Sequence, residues 1–232
     1  MRQPALARRP ILVAGTARSG TSLTAGCLHL CGAWVGETVP GGGPENPEGF
    51  FENTILRETV VKHLLAREGV CPVGVQNLPE LSSLRARPRL AQTVLQTIHK
   101  QGYQGKQPWL FKDAKLSLLW PVWVKAFPDA RWIIVRRPRE QIIRSCLRTG
   151  FMRHHSTDPA FWDRWIDAYR ERLEALKQSG AWWREINTQQ LLDGDFSTLR
   201  SIAGETGLEW NEDAVGSFIK PQHWHASGQE DQ

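Results

Sequence analysis

The sequence predicts a single α/β domain in which a P-loop-like central parallel sheet is flanked by helices. Three observations favour this fold class. Residues 11–14 are apolar at every position, as in strands buried on both faces of a parallel sheet. This run breaks into a turn rich in Gly, Ser and Thr and then a helical pattern, and residues 131–135 repeat the strand, turn and helix order. A chain of 232 residues is long enough to bury the core of such a domain.

The chain divides into three parts by composition. We expect residues 1–9 to form a flexible arm, residues 10–227 the α/β domain, and residues 228–232 a frayed polar tail. The apolar segment after the N-terminal arginines is too short for a signal peptide, and no stretch is long enough to span a membrane. The cysteines are few and without a disulfide or metal pattern, which favours a reducing, cytoplasmic compartment; they are Cys27, Cys31, Cys71 and Cys146.

The charge balance favours an anionic ligand. The net charge is +5, from 29 lysines and arginines against 24 acidic residues. No long run of Lys and Arg is present, so we expect no nucleic-acid partner.

The first half of the chain predicts two helices separated by a long loop. The helix over residues 21–31 is expected to end at Gly32, a residue that favours helix ends. Residues 39–49 are so rich in Pro and Gly that they predict a surface loop beyond the first strand, of the kind that forms lids and binding sites. Asn53 is a suitable N-cap for a second helix that reaches about Glu68.

The second half predicts further strand and helix pairs. The predicted strands cover residues 109–111, 131–135 and 182–186, and the predicted helices cover residues 88–101, 139–148, 160–178, 197–206 and 212–219. A helix within residues 116–127 is expected to carry Pro121 in its first turn, where proline is tolerated. Residues 70–87 show no regular pattern.

The turn after the first strand has the features of an anion-binding loop. Gly15 and Gly20 permit backbone angles at which successive N–H groups can converge on an anion at the start of the following helix. The spacing fits G-x-x-x-x-G-K-[ST], with Ser22 at the last position, except that Thr21 replaces the lysine. Arg18 supplies a different cation, whose planar guanidinium suits a tetrahedral oxyanion.

Here the sequence resembles the sulfotransferase family, whose 5′-phosphosulfate loop has the form R-S-G-T-[ST]. Arg18-Ser19-Gly20-Thr21-Ser22 fits that form, and residues 46–52, N-P-E-G-F-F-E, match a segment typical of its bacterial members. The resemblance implies transfer of a sulfuryl group from 3′-phosphoadenosine-5′-phosphosulfate (PAPS) by in-line displacement. It implies that Arg18 binds the phosphosulfate and that Gly15 shapes the loop. The backbone N–H groups of residues 19–22 and the hydroxyls of Thr21 and Ser22 complete the site.

The family's 3′-phosphate site has an arginine at a strand end and a serine eight residues later. Arg137 and Ser145 fit this spacing, because the serine lies two turns into the returning helix and can face the same anion. The alternative interpretation is an ordinary strand-to-helix turn with surface arginines.

The resemblance also implies the catalytic residues. Lys112 before Asp113 resembles a K-D-P element whose lysine stabilises the transferring group, although Ala114 stands in place of the proline. Glu37 after Gly36 fits the position of the base that accepts the acceptor's proton. The alternatives for the base are Glu48, Glu52, His154, His155, His223 and His225. The mechanism requires no metal.

The sequence does not identify the acceptor, which can be a sugar, a lipid, a peptide, or a small phenol or amine. Indole rings suit sugar or aromatic acceptors, and the candidates to line such a pocket are Trp162, Trp165, Trp182, Trp183 and Trp224. Two other functions stay open: a non-catalytic nucleotide-binding module of the same fold, and a P-loop kinase without the usual lysine.

Overall fold

A computed structural model describes residues 7, 9–41, 46, 48–85 and 87–220. Four parallel strands form its central sheet: β1 (Ile11–Gly15), β2 (Leu110–Lys112), β3 (Arg131–Arg136) and β4 (Trp183–Asn187). Their order across the sheet is β2-β1-β3-β4, which confirms the predicted α/β class with a parallel sheet. The order reverses between β1 and β3, and ligands of such sheets bind beyond the carboxyl ends of the strands at this point.

Helices cover both faces of the sheet. They are α1 (Thr21–Leu30), α2 (Thr54–Leu56), α3 (Lys62–Arg67), α4 (Leu90–Lys100), α5 (Leu116–Ala126), α6 (Arg139–Arg148), α7 (Gly150–Arg153), α8 (Pro159–Gln178), α9 (Thr188–Leu192), α10 (Ser197–Glu205) and α11 (Glu212–Phe218). Among these helices none is both long and apolar enough to cross a membrane.

Alternate residues of β1 pack into two separate cores. Leu12 and Ala14 join the larger core, which includes residues of α3, α4, α5 and α8, whereas Ile11 and Val13 join the core formed with α1, α10 and α11. All four side chains are fully buried. A strand that is apolar at every position therefore packs against helices on both faces of the sheet.

The helix predicted after Asn53 is interrupted by a wider turn. The Asn53 side chain accepts a hydrogen bond from the Leu56 N–H at 3.1 Å and caps the helix as expected. Residues Arg57–Val61 form a π-helical turn between α2 and α3, which the 3.6-residue pattern did not predict. Such turns are frequent at functional sites.

The prediction for Pro121 is wrong. The helix α5 begins at Leu116, so Pro121 lies inside the helix rather than in its first turn. Pro121 has no N–H to donate to the carbonyl of Ser117, four residues earlier. The helix continues because its apolar residues, including Val122 and Trp123, are buried against the sheet.

The predicted arm and tail fall almost entirely outside the described residues: residues 1–6, 8 and 228–232. Ala7 is described and is fully buried, and its carbonyl accepts a hydrogen bond from Trp109 Nε1 at 2.9 Å. The extent of the α/β domain over residues 10–227 stays a prediction.

A buried serine joins the end of β1 to the start of α5. The Gly15 N–H donates to Ser117 Oγ at 3.1 Å, and the Ser117 hydroxyl donates to the Gly15 carbonyl at 3.1 Å. Ser117 is fully buried, so no solvent can replace these bonds. This contact fixes the strand end from which the glycine-rich turn departs.

We predict that Ser117→Ala lowers the free energy of unfolding by about 1–3 kcal/mol, because it leaves buried backbone groups of Gly15 unsatisfied. Urea denaturation measures the change. The matched control is Ser82→Ala, which removes an exposed hydroxyl and is expected to have little effect. Equal losses in the two variants would contradict the prediction.

Candidate active site

A cavity of about 900 Å³ opens at the carboxyl ends of β1, β2 and β3. Seven of the residues predicted from the sequence line it: Arg18, Gly20, Thr21, Ser22, Lys112, Arg137 and Ser145. Gly15 and Ser19 lie behind the lining and shape the turn, whereas Glu37 is exposed and outside the cavity lining. The cavity is near the upper end of the range for small-molecule sites, which leaves room for two ligands.

The turn between β1 and α1 is tightly constrained. Arg18 has φ of 67° and Gly20 has φ of 95°, both in the left-handed region. A Cβ on Gly15 would lie 2.7 Å from Ser19 Oγ and 2.9 Å from the Val135 carbonyl, so only glycine fits there. Within the described part of the chain, no side chain caps the N-terminus of α1, which begins at Thr21. The positive end of that helix therefore faces the cavity, as in anion-binding loops.

The two predicted anion sites form one cluster. Arg18 Nε donates to Ser145 Oγ at 2.9 Å, and Arg137 Nη1 donates to the Arg18 carbonyl at 3.0 Å. Burial, followed by the charges of Arg18 and Arg144, lowers the pKa of Arg137 to about 10. A bound anion would offset both effects, so the cluster is suited to a phosphate or sulfate group.

A buried ion pair lies at the end of β2. Lys112 Nζ contacts Glu52 Oε1 at 2.8 Å, and the Lys112 side chain is only 3% exposed. Burial raises the pKa of Glu52, but the charges of Lys112 and Lys115 outweigh it and lower that pKa to about 2. Arg57, at the start of the π-helical turn, contacts Glu52 Oε2 at 3.5 Å. Glu52 is therefore ionised and enclosed by cations.

A second buried pair follows immediately along the chain. Lys115 Nζ contacts Asp113 Oδ1 at 2.8 Å, and the Lys115 N–H donates to the same oxygen at 2.9 Å. Asp113 is fully buried, and burial raises its pKa despite the neighbouring Lys115. Lys115 lines the cavity, and sequence reasoning missed it. The only signal was the second lysine of the Lys112-Asp113-Ala114-Lys115 run.

The candidate bases differ in whether they line the cavity. The carbonyl of Glu37 accepts the Thr54 N–H at 2.8 Å, which ties its backbone to the start of α2 while its side chain is exposed. Glu48 lines the cavity and its Oε1 contacts Lys220 Nζ at 2.7 Å. Among the described residues, the structure therefore brings Glu52 to Lys112 and does not bring Glu37 there.

Those candidate histidines and tryptophans that the structure describes do not line the cavity. His154 and His155 lie outside the lining. Trp162 and Trp165 belong to the larger core. Trp183 packs against that core and stacks with Lys177, whereas Trp182 packs against the other core and stacks with Arg131. The candidates His223, Trp224 and His225 lie outside the described residues. Over the part of the chain described here, no group of three or more His, Cys, Asp or Glu is placed to hold a metal ion.

Several basic residues at the cavity were not predicted. Arg144 and Arg148 line it from α6, which also carries Ser145, and Arg57 lines it from the π-helical turn. The signal for the first two was their spacing, since residues 144 and 148 lie one helical turn apart.

The chain was compared with known protein families, sequences and structures. A sequence-family model described as "Sulfotransferase family" matches residues 10–212. The fold is similar to that of the sulfotransferase domain from the Synechococcus PCC 7002 olefin synthase, with a TM-score of 0.56 and 16% identity over 99% of this chain and 82% of that chain. Sulfotransferase STF1 from Mycobacterium tuberculosis H37Rv gives a TM-score of 0.47 and 16% identity over 94% and 76%. No curated protein sequence matches the chain.

We predict that Lys112→Met lowers the free energy of unfolding by about 3–5 kcal/mol, because it leaves the Glu52 carboxylate buried without its main partner. The matched control is Lys62→Met, which breaks a pair of similar length with Glu58 on an exposed helix face and is expected to cost only about 0.3–0.5 kcal/mol. Urea denaturation compares the free energies of unfolding of the two variants with that of the wild type. Similar losses in both would show that burial of the Lys112 pair has no energetic consequence.

The low pKa of Glu52 predicts an acid-dependent loss of stability. Its folded-state pKa of about 2 lies below the ordinary value of 4.5, so its stabilising contribution is complete above pH 4.5 and is lost as the pH falls toward 2. The difference in free energy of unfolding between the wild type and Glu52→Gln is expected to shrink across this interval. Denaturant titrations at a series of pH values measure it, and a constant difference would refute the assignment.

Proposed function

The chain belongs to the sulfotransferase family, and we propose that it transfers a sulfuryl group from PAPS to a hydroxyl or amine of an acceptor bound in the cavity. The observation that carries this proposal is the arrangement at the carboxyl ends of three strands. There, the Arg18 turn, the Arg137 cluster and the Lys112–Glu52 pair border one space. Anion-binding groups and a carboxylate that can accept a proton are the parts that such a transfer needs.

The residues of the cavity fit a nucleotide with phosphate at both the 5′ and 3′ ends. We assign the 5′-phosphosulfate to Arg18 and the uncapped start of α1, with the hydroxyls of Thr21 and Ser22 beside it. We assign the 3′-phosphate to Arg137 and Ser145, which lie on the neighbouring strand end and on α6. The pKa of Arg137, lowered by burial and then by the charges of Arg18 and Arg144, supports this assignment, because an anion stabilises the charged guanidinium.

PAPS supplies the transferable sulfuryl group, whose sulfur exchanges its bond to a phosphate oxygen for a bond to the acceptor oxygen. Lys112 is assigned to stabilise the negative charge that develops during this exchange. In the structure Lys112 contacts Glu52, so an anion that draws the Lys112 ammonium toward itself weakens the main interaction that keeps the pKa of Glu52 low.

Glu52 is assigned as the base that accepts the proton of the acceptor hydroxyl. It is preferred to Glu37, whose side chain is exposed and outside the cavity, and to Glu48, which contacts Lys220. With a pKa of about 2, Glu52 is ionised but is a weak base. Its basicity increases when Lys112 engages the donor, which couples the presence of the donor to proton removal.

The two other functions have less support. A non-catalytic nucleotide-binding module has no need of the buried pair of Lys112 and Glu52 within the cavity. A P-loop kinase needs a cation at the position of Thr21. Labelled PAPS supplied with a mixture of acceptor classes separates the three functions. Transfer of label supports our proposal, whereas binding of 3′,5′-bisphosphoadenosine without transfer, or stabilisation by ATP and magnesium alone, contradicts it.

We predict that Glu52→Gln lowers the rate of sulfuryl transfer by about 100-fold or more, since it removes the base, while the affinity for bisphosphoadenosine stays close to that of the wild type. Single-turnover kinetics with labelled PAPS and calorimetry measure the two quantities. Glu58→Gln, an exposed carboxylate six residues later, is the control and is expected to retain activity. Unchanged transfer in Glu52→Gln would remove Glu52 from the mechanism.

We predict that Arg137→Ala weakens binding of bisphosphoadenosine by about 10- to 100-fold, through loss of a charge-assisted contact, and that Arg18→Ala abolishes transfer. Calorimetric titration measures the affinity. Arg139→Ala is a matched control, because Arg139 lies two residues away and contacts Asp163 and Asp167 outside the cavity. An affinity equal to that of the control would place the 3′-phosphate elsewhere.

A further inference from the structure

Part of the cavity wall is apolar and exposed. Among the described residues, three large hydrophobic side chains are exposed, and two of them, Val73 at 37% and Phe151 at 43%, line this cavity. The third, Ile55, does not line it. Val73 and Phe151 come from distant parts of the chain and meet at one space, together with Ala114 and Met152. Large apolar side chains exposed together in a cleft mark a binding surface.

The turn that carries Val73 is held by buried aromatic residues. The carbonyl of Gly74 accepts hydrogen bonds from Trp165 Nε1 at 3.0 Å and from the Tyr169 hydroxyl at 2.9 Å. Gly74 has φ of 70°, and a Cβ there would lie 2.6 Å from the Tyr169 oxygen. The exposure of Val73 is therefore fixed by the core beneath it.

The backbone that carries Phe151 is also held in place by the core. It lies in α7, between Gly150 and Met152, and the Met152 side chain is buried in the larger core. Thr149, which precedes α7, donates its hydroxyl to the Ser145 carbonyl at 2.8 Å and joins this helix to α6. The Phe151 ring thus stands on a backbone that is anchored on both sides.

The charged groups near this wall are already paired with one another. Glu52 contacts Lys112 and Arg57, and Lys115 contacts Asp113. A polyhydroxylated acceptor needs several polar groups that can exchange partners, whereas the side chains of Val73, Ala114, Phe151 and Met152 offer it no hydrogen-bond donor. Among the described residues, the cavity lining holds seven lysines and arginines against two glutamates, and the phosphate and sulfate groups of PAPS balance that surplus.

From this arrangement we infer that Val73 and Phe151 form the acceptor subsite, and that the acceptor is a neutral alcohol carrying an extended apolar group. This inference rests on the proposed sulfuryl transfer. The apolar group of the acceptor lies between Val73 and Phe151, and its hydroxyl faces Glu52 and Lys112. The hydroxyl proton passes to Glu52 as the acceptor oxygen bonds to sulfur, and the nucleotide leaves with the electrons of the broken bond to sulfur.

A series of straight-chain primary alcohols tests the subsite, with glucose as the polar comparison. Each added methylene buried against the wall is expected to raise kcat/KM about three- to fourfold until the wall is covered. The same slope is expected in the affinity of the alcohols for the complex with bisphosphoadenosine, measured by calorimetry without turnover. Glucose is expected to show no measurable transfer.

Val73→Ser and Phe151→Ser are expected to flatten this slope and to leave bisphosphoadenosine affinity unchanged. Both residues are exposed, so the substitutions preserve the fold, and Ile55→Ser is the matched control that keeps the wild-type slope. A slope that both variants retain, or transfer to glucose as efficient as to the longer alcohols, overturns the inference while the proposed function stands. Absence of label transfer to every acceptor, with no binding of bisphosphoadenosine, overturns both.

Discussion

The buried ion pair of Lys112 and Glu52 is the contact on which the arrangement of the cavity depends. It joins the end of β2 to the end of the Pro- and Gly-rich loop, across sixty positions of sequence. Two charges withdrawn from water are stable only while each compensates the other. Any process that moves Lys112 away from Glu52 raises the pKa of that carboxyl, and this property gives a structural contact a role in chemistry.

The second constraint is an excess of positive charge at the sheet edge. The turn after β1, the end of β3 and the helix α6 all place arginines along the same cavity, and burial, followed by the charges of Arg18 and Arg144, lowers the pKa of Arg137. Because β1 and β3 are neighbours in a parallel sheet, the turn after β1 lies beside the end of β3 although the two are far apart in the sequence. The fold therefore concentrates positive charge where a doubly phosphorylated nucleotide is proposed to bind, and the apolar wall beside it extends the site for a second molecule.

The sequence was enough to predict the strands that border this cavity and several of its residues, but not which side chains contact one another. Strands such as β1 and β3 are continuous apolar runs, and Arg18, Arg137 and Ser145 follow strand ends at recognisable spacing, so local patterns located them. Glu37 was preferred as the base because its order in the chain fits the family, but order does not determine side-chain direction. The contact of Glu52 with Lys112 joins segments far apart in sequence, which no local pattern encodes. The position of Pro121 within its helix was predicted wrongly for a related reason, since the burial of α5 outweighs the preference of proline for the first turn.

The titration of the Glu52 carboxyl tests the central claim most directly. Carbon-13 NMR of the glutamate side chains, with Glu52→Gln to assign the resonance, gives its pKa without and with bound PAPS. We predict a value of about 2 in the ligand-free protein and a clear rise when PAPS is bound, because Lys112 then contacts the donor. A pKa near the ordinary 4.5 in the ligand-free protein, or one that PAPS leaves unchanged, would contradict the account.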